Sequence, residues 1–355
     1  MRIIVTAAGG SGGRFLTEAL RMAGHYVIGT DCDSWQLPLA IANERHLVPK
    51  AGDGFAEAIE RLSEKVRADL VMPQSDPEVL LLAEHQRLPG KARFFLPAPG
   101  AVHAAQDKWE NYRIWTLADI PTPKLMNVNL CQKEPWPQSV WIRPSRGHGA
   151  AKALKTNRAS VAIAWAAEHR GHFQEAGAKS LGWDHWLMQE FVEGTNCVAD
   201  LVFWRGRLVA WAGREVRAWQ MAHCSPTGVT GASRVTILHL EEPLREIAEA
   251  AVRALPGEPH GVFGVDTIRK EDGTYWVTEV NAGRFNAPGP ALYARAGLNL
   301  AAVAVQLSDL RITDAWPVLT GEEGKAWAML RGQDTPPVYL TRAEWEELCG
   351  SQSGA

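Results

Sequence analysis

Four side chains equipped for chemistry lie within residues 261–285, GVFGVDTIRKEDGTYWVTEVNAGRF: Asp266, Glu279, Asn281 and Arg284. Two carboxylates and an amide carbonyl are hard oxygen donors. Magnesium is usually held by one or two such carboxylates and completes its shell with substrate phosphates and water. An arginine just beyond them could reach the same phosphates. The plainer alternative is an acidic pair on an exposed hairpin.

The four meet only if the chain between them folds back. Runs rich in β-branched and aromatic residues flank Asp272-Gly273, a dipeptide suited to the positive φ angles of a two-residue turn, so the stretch predicts a β-hairpin. That turn pairs Glu271 with Thr274, Ile268 with Val277, Asp266 with Glu279 and Gly264 with Asn281. Because side chains alternate faces along a strand, Asp266, Glu279 and Asn281 then share one face. Opposed carboxylates with Cβ atoms ~4.5–5.5 Å apart repel each other, and the pattern asks for a cation between them. A one-residue bulge would break this register.

Further cations precede the hairpin. Residues 107–117 read as a helix broken by Pro121 and Pro123, with Lys108 at its start; taken alone, that lysine is a solvated charge. A strand over 140–143 delivers Arg143 into PSRGHGAAK, a basic loop whose backbone N–H groups could fold over phosphates or could serve as a plain hairpin loop. Residues 219–233 are turn-rich and long enough to suggest a cover over a site. Nearby, Arg214, Arg217 and Arg234 could pair with a carboxylate. His169 and His172 lack a third ligand and are expected to face solvent.

The remaining elements position these groups. Residues 2–6 form a strand, 7–13 a glycine-rich turn, 14–23 a helix and 25–30 a second strand ending at Asp31, as in a nucleotide-binding βαβ unit. Phe15 stands where GxGxxG needs its third glycine, so the turn itself predicts a plain α/β connection. Helix 55–66, strand 69–73, helix 78–87 and strand 93–96 continue a doubly wound parallel sheet that finishes near residue 100. Ligands in such sheets bind beyond the carboxyl ends of the strands, here residues 9–13, Asp31 and 75–78. Downstream follow helix 160–169, strand 186–192, a hairpin of 197–204 with 208–212, and helix 240–255. After the catalytic-looking hairpin come helices within 290–310, strands 326–330 and 338–340, helix 342–348 and a disordered tail from 350.

Composition excludes several classes. The 355 residues carry net charge −3 at a pI near 6.4, with 46% hydrophobic and 22% charged residues, so nothing draws the chain globally to nucleic acid or an anionic membrane. No signal peptide or membrane span is legible, and a cytoplasmic location is expected. Five scattered cysteines without CxxC spacing argue against disulfides and zinc.

The ordered set DKWENYRIWTLADIPTPK, WIRPSRGHGAAKAL, MQEFVEGTN and GVFGVDTIRKEDGTYWVTEVNAGR resembles the ATP-grasp superfamily, particularly its carbamoyl-phosphate-synthase-like carboxylate–amine ligases. The resemblance implies a Rossmann-like pre-ATP-grasp domain over 1–104 and a two-lobed α+β ATP-grasp domain. Its small lobe would span 105–192 and its large lobe 193–312, with an extension over 313–355. It implies that Lys108 and Arg143 contact ATP phosphates and that loop 146–150, with His148, covers them. Gln189, Glu190, Phe191 and Val192 would form the hinge that binds adenine through backbone groups. Asn196 would stand at the ribose position, usually a Glu. Asp266, Glu279 and Asn281 would hold magnesium or manganese, two ions in all, and Arg284 would steady the transferred phosphate. The usual Asn-Pro-Arg is one residue longer here, which places the reach of Arg284 in question.

The implied reaction joins a small carboxylic acid, an amino acid being one option, to an amine through an acyl phosphate, releasing ADP and phosphate. The oligomeric state stays open, a homodimer included. A second reading, resting on Asn196 and Arg284, is an inactive ATP-binding sensor or partner subunit. A third, resting on residues 9–31, is a Rossmann oxidoreductase.

Overall fold

The computed structural model of the chain describes residues 1–85, 93–128, 139–147, 152–169, 185–309, 325–332 and 335–352. The first sheet grows from short apolar strands, β1 (Arg2–Val5), β2 (Tyr26–Asp31), β3 (Glu44–Leu47), β4 (Leu70–Met72) and β5 (Arg93–Phe94), all parallel in the order β3-β2-β1-β4-β5. Helices α1 (Ser11–Met22), α2 (Phe55–Val66) and α3 (Asp76–His85) provide the crossovers, and α4 (Pro99–Ala105) leads out. This is the expected doubly wound layout. Periodicity alone does not assign β3: its ERHL sequence has a single apolar residue, as suits an edge strand.

A four-stranded antiparallel sheet follows α5 (Lys108–Leu117). It contains β6 (Leu125–Asn127), β7 (Val140–Pro144), β8 (Leu154–Thr156) and β9 (Trp186–Glu190) in the order β6-β9-β7-β8, with α6 (Ala159–His169) packed on it. The largest sheet has seven strands. It is built from β10 (Thr195–Trp204), β11 (Arg207–Trp219), β12 (Ser233–Leu238), β13 (Gly261–Arg269), β14 (Tyr275–Ala282), β15 (Ala328–Leu330) and β16 (Val338–Leu340), with order β14-β13-β10-β11-β12-β15-β16. Residues beyond 312 therefore add two strands to it. Helix α10 (Arg342–Gln352) takes in Gly350, where the sequence predicts a disordered tail.

Both faces of this sheet are covered, so β10 reads as a run of seven buried residues, all apolar but Asp200. Cys197, Ala199, Leu201, Val265 and Val277 pack on one side against Leu244, Ala248 and Val252 of α7 (Glu242–Arg253). On the other side, Val202, Ala212, Leu238 and Met329 share a core with Phe15 and Leu16 of α1. Leu292 of α8 (Gly289–Ala296) and Leu300 of α9 (Leu300–Ser308) belong to that core too. One continuous core thus joins the parallel sheet to the large sheet and fixes the amino end of α1 over it. Burying one such leucine contributes about 1.5–3 kcal/mol. Among the described residues no helix is long and apolar enough to cross a membrane, and Cys32, Cys197, Cys224 and Cys349 are free thiols.

Candidate active site

The hairpin reaches the expected pairing by an unexpected route. Lys270 N–H donates to the Thr274 carbonyl (2.9 Å) and Gly273 N–H to the Lys270 carbonyl (3.0 Å), so the loop holds three residues, 271–273, rather than two. Gly273 sits at φ +82°, the left-handed position such a loop requires. Ile268 consequently faces Trp276 instead of Val277. A bulge at Thr278 then inserts one residue, and the two departures cancel: Asp266 lies opposite Glu279 and Gly264 opposite Asn281, as the two-residue turn predicts.

Three cations converge on this face. Asp107 caps α5 by accepting from the Trp109 and Glu110 amides (3.0 and 3.3 Å), which fixes Lys108 in the first turn. Lys108 is only 8% exposed, not the solvated charge its sequence context suggests. Its Nζ lies 3.3 Å from Glu279 Oε1 and donates to the Gly147 carbonyl (2.7 Å). Arg143, from β7, places Nη1 3.7 Å from Glu279 Oε2, while Nη2 donates to the Thr278 carbonyl at 3.2 Å. The bulge thus offers the small sheet a carbonyl. Burial pushes the Arg143 pKa down, opposed by the charges of Glu279 and Asp266.

Arg284 reaches the face after all. Gly283, at φ +86°, absorbs the extra residue, and a Cβ there would lie 2.5 Å from a Val79 methyl. Arg284 Nη2 donates to Asn281 Oδ1 (2.5 Å), Nη1 to Asn286 Oδ1 (3.1 Å), and Nε pairs with Asp76 at the start of α3. Asp76 and Asn286 are additions to the sequence-derived set. Asp76 lies in the 75–78 segment at the carboxyl end of the parallel sheet, while Asn286 carried no signal.

Among the described residues Asp266 has only amide donors on its oxygens, Asn281 Nδ2 at 3.0 Å and Asn286 Nδ2 at 3.4 Å. Burial, and then the adjacent Glu279 charge, push its pKa up to about 7. Two carboxylates side by side, one of them desolvated and, among the described residues, in no ion pair, fit a divalent ion. Asp266, Glu279 and Asn281 would hold it. Among the described residues no group of three His, Cys, Asp or Glu side chains suits a metal, and the third donor here is an amide.

The hinge residues lie at the other end of the hairpin. Gln189 is buried between Leu125 and Trp141. Glu190 N–H donates to the Lys124 carbonyl (2.8 Å) and Phe191 N–H to the Ser139 carbonyl (3.2 Å). That leaves the Val192 amide, of these three, without an acceptor among the described residues. Phe191 is held between Trp141 and the Lys155 Nζ, 3.5 Å from its ring centroid. An open cleft of about 570 Å³ separates Glu190, Phe191, Val192 and Glu193 from Lys270, Glu271, Asp272 and Trp276. Asn196 lies across from Ile268. His148 and residues 149–150 fall outside the described residues, as does His172.

The three arginines that could pair with a substrate carboxylate differ in their surroundings. Arg214 is 2% exposed and committed to Asp200 and to the Tyr293 hydroxyl (2.7 Å). Arg217 pairs with Glu215 at 2.6 Å, and Arg234 is exposed. At the glycine-rich turn, Asp31 accepts from the Gly9 and Asp33 amides (3.1 and 3.0 Å), a structural role for the acid of the βαβ pattern.

A family model described as an ATP-grasp domain matches residues 105–288, more than half of the chain. The chain belongs to the ATP-grasp family. The matched span runs from the end of α4 to the start of α8 and contains every described residue of the cation and carboxylate face except Asp76. Among solved structures, this ATP-grasp chain is similar to an L-amino acid ligase from Bacillus licheniformis, at 14% identity and TM-score 0.63, covering 88% of this chain and 76% of that one. It is also similar to N5-carboxyaminoimidazole ribonucleotide synthetase from Thermotoga maritima (17%, TM-score 0.60, 93% and 80% covered). A third is the biotin carboxylase domain of 2-oxoglutarate carboxylase from Hydrogenobacter thermophilus, in complex with MgADP and bicarbonate (14%, TM-score 0.64, 88% and 71% covered). At these identities the likeness is one of fold. No curated protein sequence matches the chain.

Proposed function

We propose that the protein is an ATP- and Mg²⁺-dependent carboxylate–amine ligase of the carbamoyl-phosphate-synthase-like branch. It phosphorylates a small carboxylic acid and passes the acyl group to an amine, releasing ADP and phosphate. The observation that carries this reading is the convergence of Lys108, Arg143 and Arg284 on the Asp266–Glu279–Asn281 face.

Carboxylate oxygen is a poor leaving group, and phosphorylation makes it a good one. Phosphoryl transfer of this kind depends mainly on positioning and charge neutralisation, so it needs cations and oxygen ligands rather than a protein nucleophile. Lys108 and Arg143 bind the phosphates and Arg284 the group in transfer. Two Mg²⁺ ions held by Asp266, Glu279 and Asn281, when bound, neutralise phosphate charge. The hinge at 189–192 takes adenine, with the Val192 amide as donor, and Asn196 takes the ribose. Loops 146–150 and 219–233 exclude water from the acyl phosphate.

The test is ADP and phosphate release with Mg²⁺·ATP across a panel of acids and amines, starting with amino acids because a relative in fold is an L-amino acid ligase. Release that requires both an acid and an amine supports the reading. The rival reading, an ATP-binding sensor without turnover, draws on Asn196 at the ribose position and is ruled out by one productive pair. If nucleotide binds and no pair yields ADP, the sensor reading stands.

A further inference from the structure

Lys108, Arg143 and Arg284 differ in what holds them. The first two share a carboxylate with the candidate metal ligands: Lys108 Nζ and Arg143 Nη1 both lie against Glu279, at 3.3 and 3.7 Å. A metal ion that takes the Glu279 oxygens would loosen both side chains and leave them to phosphate. Arg284 pairs instead, through Nε, with Asp76, which lies outside that ligand set. Burial works against the Arg284 charge, yet its pKa is raised on balance. Asp76 contributes most to the rise, ahead of Glu279 and Asp266.

Asp76 is itself held in place. It is the first residue of α3, and its carbonyl accepts from Nε2 of Gln106, the C-cap of α4, at 2.7 Å. Val79, three residues on, packs so tightly on the Gly283 turn that a Cβ there would come within 2.5 Å of its methyl. Leu96 and Pro97 close on the same position, each at 3.3 Å. The start of α3 therefore meets residues 283 and 284 together.

Arginine donates through a rigid planar fork, so a carboxylate on Nε fixes the plane of the whole guanidinium. Nη1 and Nη2 then donate to Asn286 Oδ1 (3.1 Å) and Asn281 Oδ1 (2.5 Å). These bonds and the Asp76 pair engage three of the five N–H groups, and among the described residues one on each Nη is left for a bound anion. Asp76 precedes Arg284 by 208 residues and belongs to the parallel sheet and its helices. Arg284 is thus aimed by the packing of α3 on the large sheet and not by its own hairpin alone.

We infer that Asp76 is a positioning residue for phosphoryl transfer. From the start of α3 it holds Arg284 by Nε and leaves both Nη groups to the phosphoryl group in transfer, touching neither nucleotide nor acid itself. The inference rests on the ligase reading and adds that the parallel-sheet part of the chain enters the transfer step through one carboxylate.

The experiment uses the full chain saturated with Mg²⁺ and ADP. Aluminium fluoride, a mimic of the phosphoryl group in transfer, is titrated and followed by thermal shift. In the wild type it should add a saturable shift to that of ADP. Asp76→Ala should weaken the apparent affinity for aluminium fluoride by about tenfold or more, the range of a lost charge-assisted hydrogen bond. Asp76→Asn keeps an acceptor for Nε without the charge and should weaken it less. Arg284→Gln should weaken it at least as much as Asp76→Ala, and the two together no more than Arg284→Gln alone, because Asp76 acts through Arg284. The shift with Mg²⁺ and ADP alone should be kept in every variant; it reports folding and nucleotide binding, and Asp76→Asn is read on its own. An ion pair with a merely structural role would lower the melting temperature and leave the aluminium fluoride affinity unchanged. That result in both Asp76 variants, a further loss when Asp76→Ala is added to Arg284→Gln, or no added shift in the wild type overturns the inference and leaves the ligase reading intact. If Mg²⁺ and ADP give no shift in the wild type, the ligase reading falls and the inference with it.

Discussion

At the residue scale, charge placement decides the account. Glu279 faces Lys108 and Arg143, whereas Asp266 is half-buried with, among the described residues, amide donors only and a pKa of about 7. Replacing Glu279 with Gln leaves two cations without their carboxylate and removes one metal oxygen. Altering even the outer neighbours of a metal typically costs 10–100-fold, so ADP formation by Glu279→Gln should fall by at least about a hundredfold, as a coupled ADP assay would show. Arg284→Gln should behave differently. Its guanidinium touches Asn281 and Asp76 rather than the hinge, so kcat should fall with little change in KM for ATP, the mark of an interaction used in the transition state. A rise in KM for ATP at constant kcat would assign Arg284 to ground-state nucleotide binding instead.

At the element scale, the hairpin shows how far sequence reasoning reaches. Alternation and an Asp-Gly turn put Asp266, Glu279 and Asn281 on one face, and they do share it. Neither the three-residue loop nor the Thr278 bulge was legible, because both depend on local hydrogen bonds that residue types do not specify. The contacts of Arg284 were hidden for a similar reason: Gly283 bends the chain back against Val79, from helix α3 of the first domain. The arginines of 214–234 were plausible by type, yet Arg214 is absorbed by Asp200, a pairing visible only in three dimensions. Helix α3 carries its own test. Glu78 is buried, accepts from the Thr6 hydroxyl at 2.7 Å, and burial raises its pKa above the ordinary carboxylate value. The folded state therefore binds this proton more tightly than the unfolded state does. Its contribution to stability is full at low pH and is lost as pH rises through the raised pKa. As pH rises above the ordinary carboxylate range the wild type should lose stability relative to Glu78→Gln, measured as the difference in urea midpoints. A constant difference would show that Glu78 titrates normally.

At the scale of the whole molecule, the parallel sheet, the small sheet and the large sheet contribute jointly to one face: Asp76 from the first, Arg143 from the second, and Asp266 and Glu279 from the third. Besides the shared apolar core, the buried Asp200–Arg214–Tyr293 cluster ties the large sheet to α8. Asp200→Ala leaves the Arg214 charge buried and unpaired and should cost about 3–5 kcal/mol, whereas replacing Asp200 and Arg214 together by Leu and Met should cost far less. Chemical denaturation of the two variants measures both, and equal losses would assign the stability to packing alone. The doubly wound sheet and the order of the ATP-grasp segments were legible from strand–helix alternation and motif order. The addition of β15 and β16 to the large sheet was not, since strands that short carry no periodicity of their own.

The most direct test of the central claim is thermal-shift titration with ATP, ADP and NADH, each with and without Mg²⁺, on wild type and Glu279→Gln. A ligand at a hundred times its dissociation constant stabilises by about 2.7 kcal/mol, a shift of several degrees. The account predicts a shift with ATP that depends on Mg²⁺ and weakens in the variant. An ATP shift indifferent to both Mg²⁺ and the substitution, or a shift with NADH alone, would contradict it.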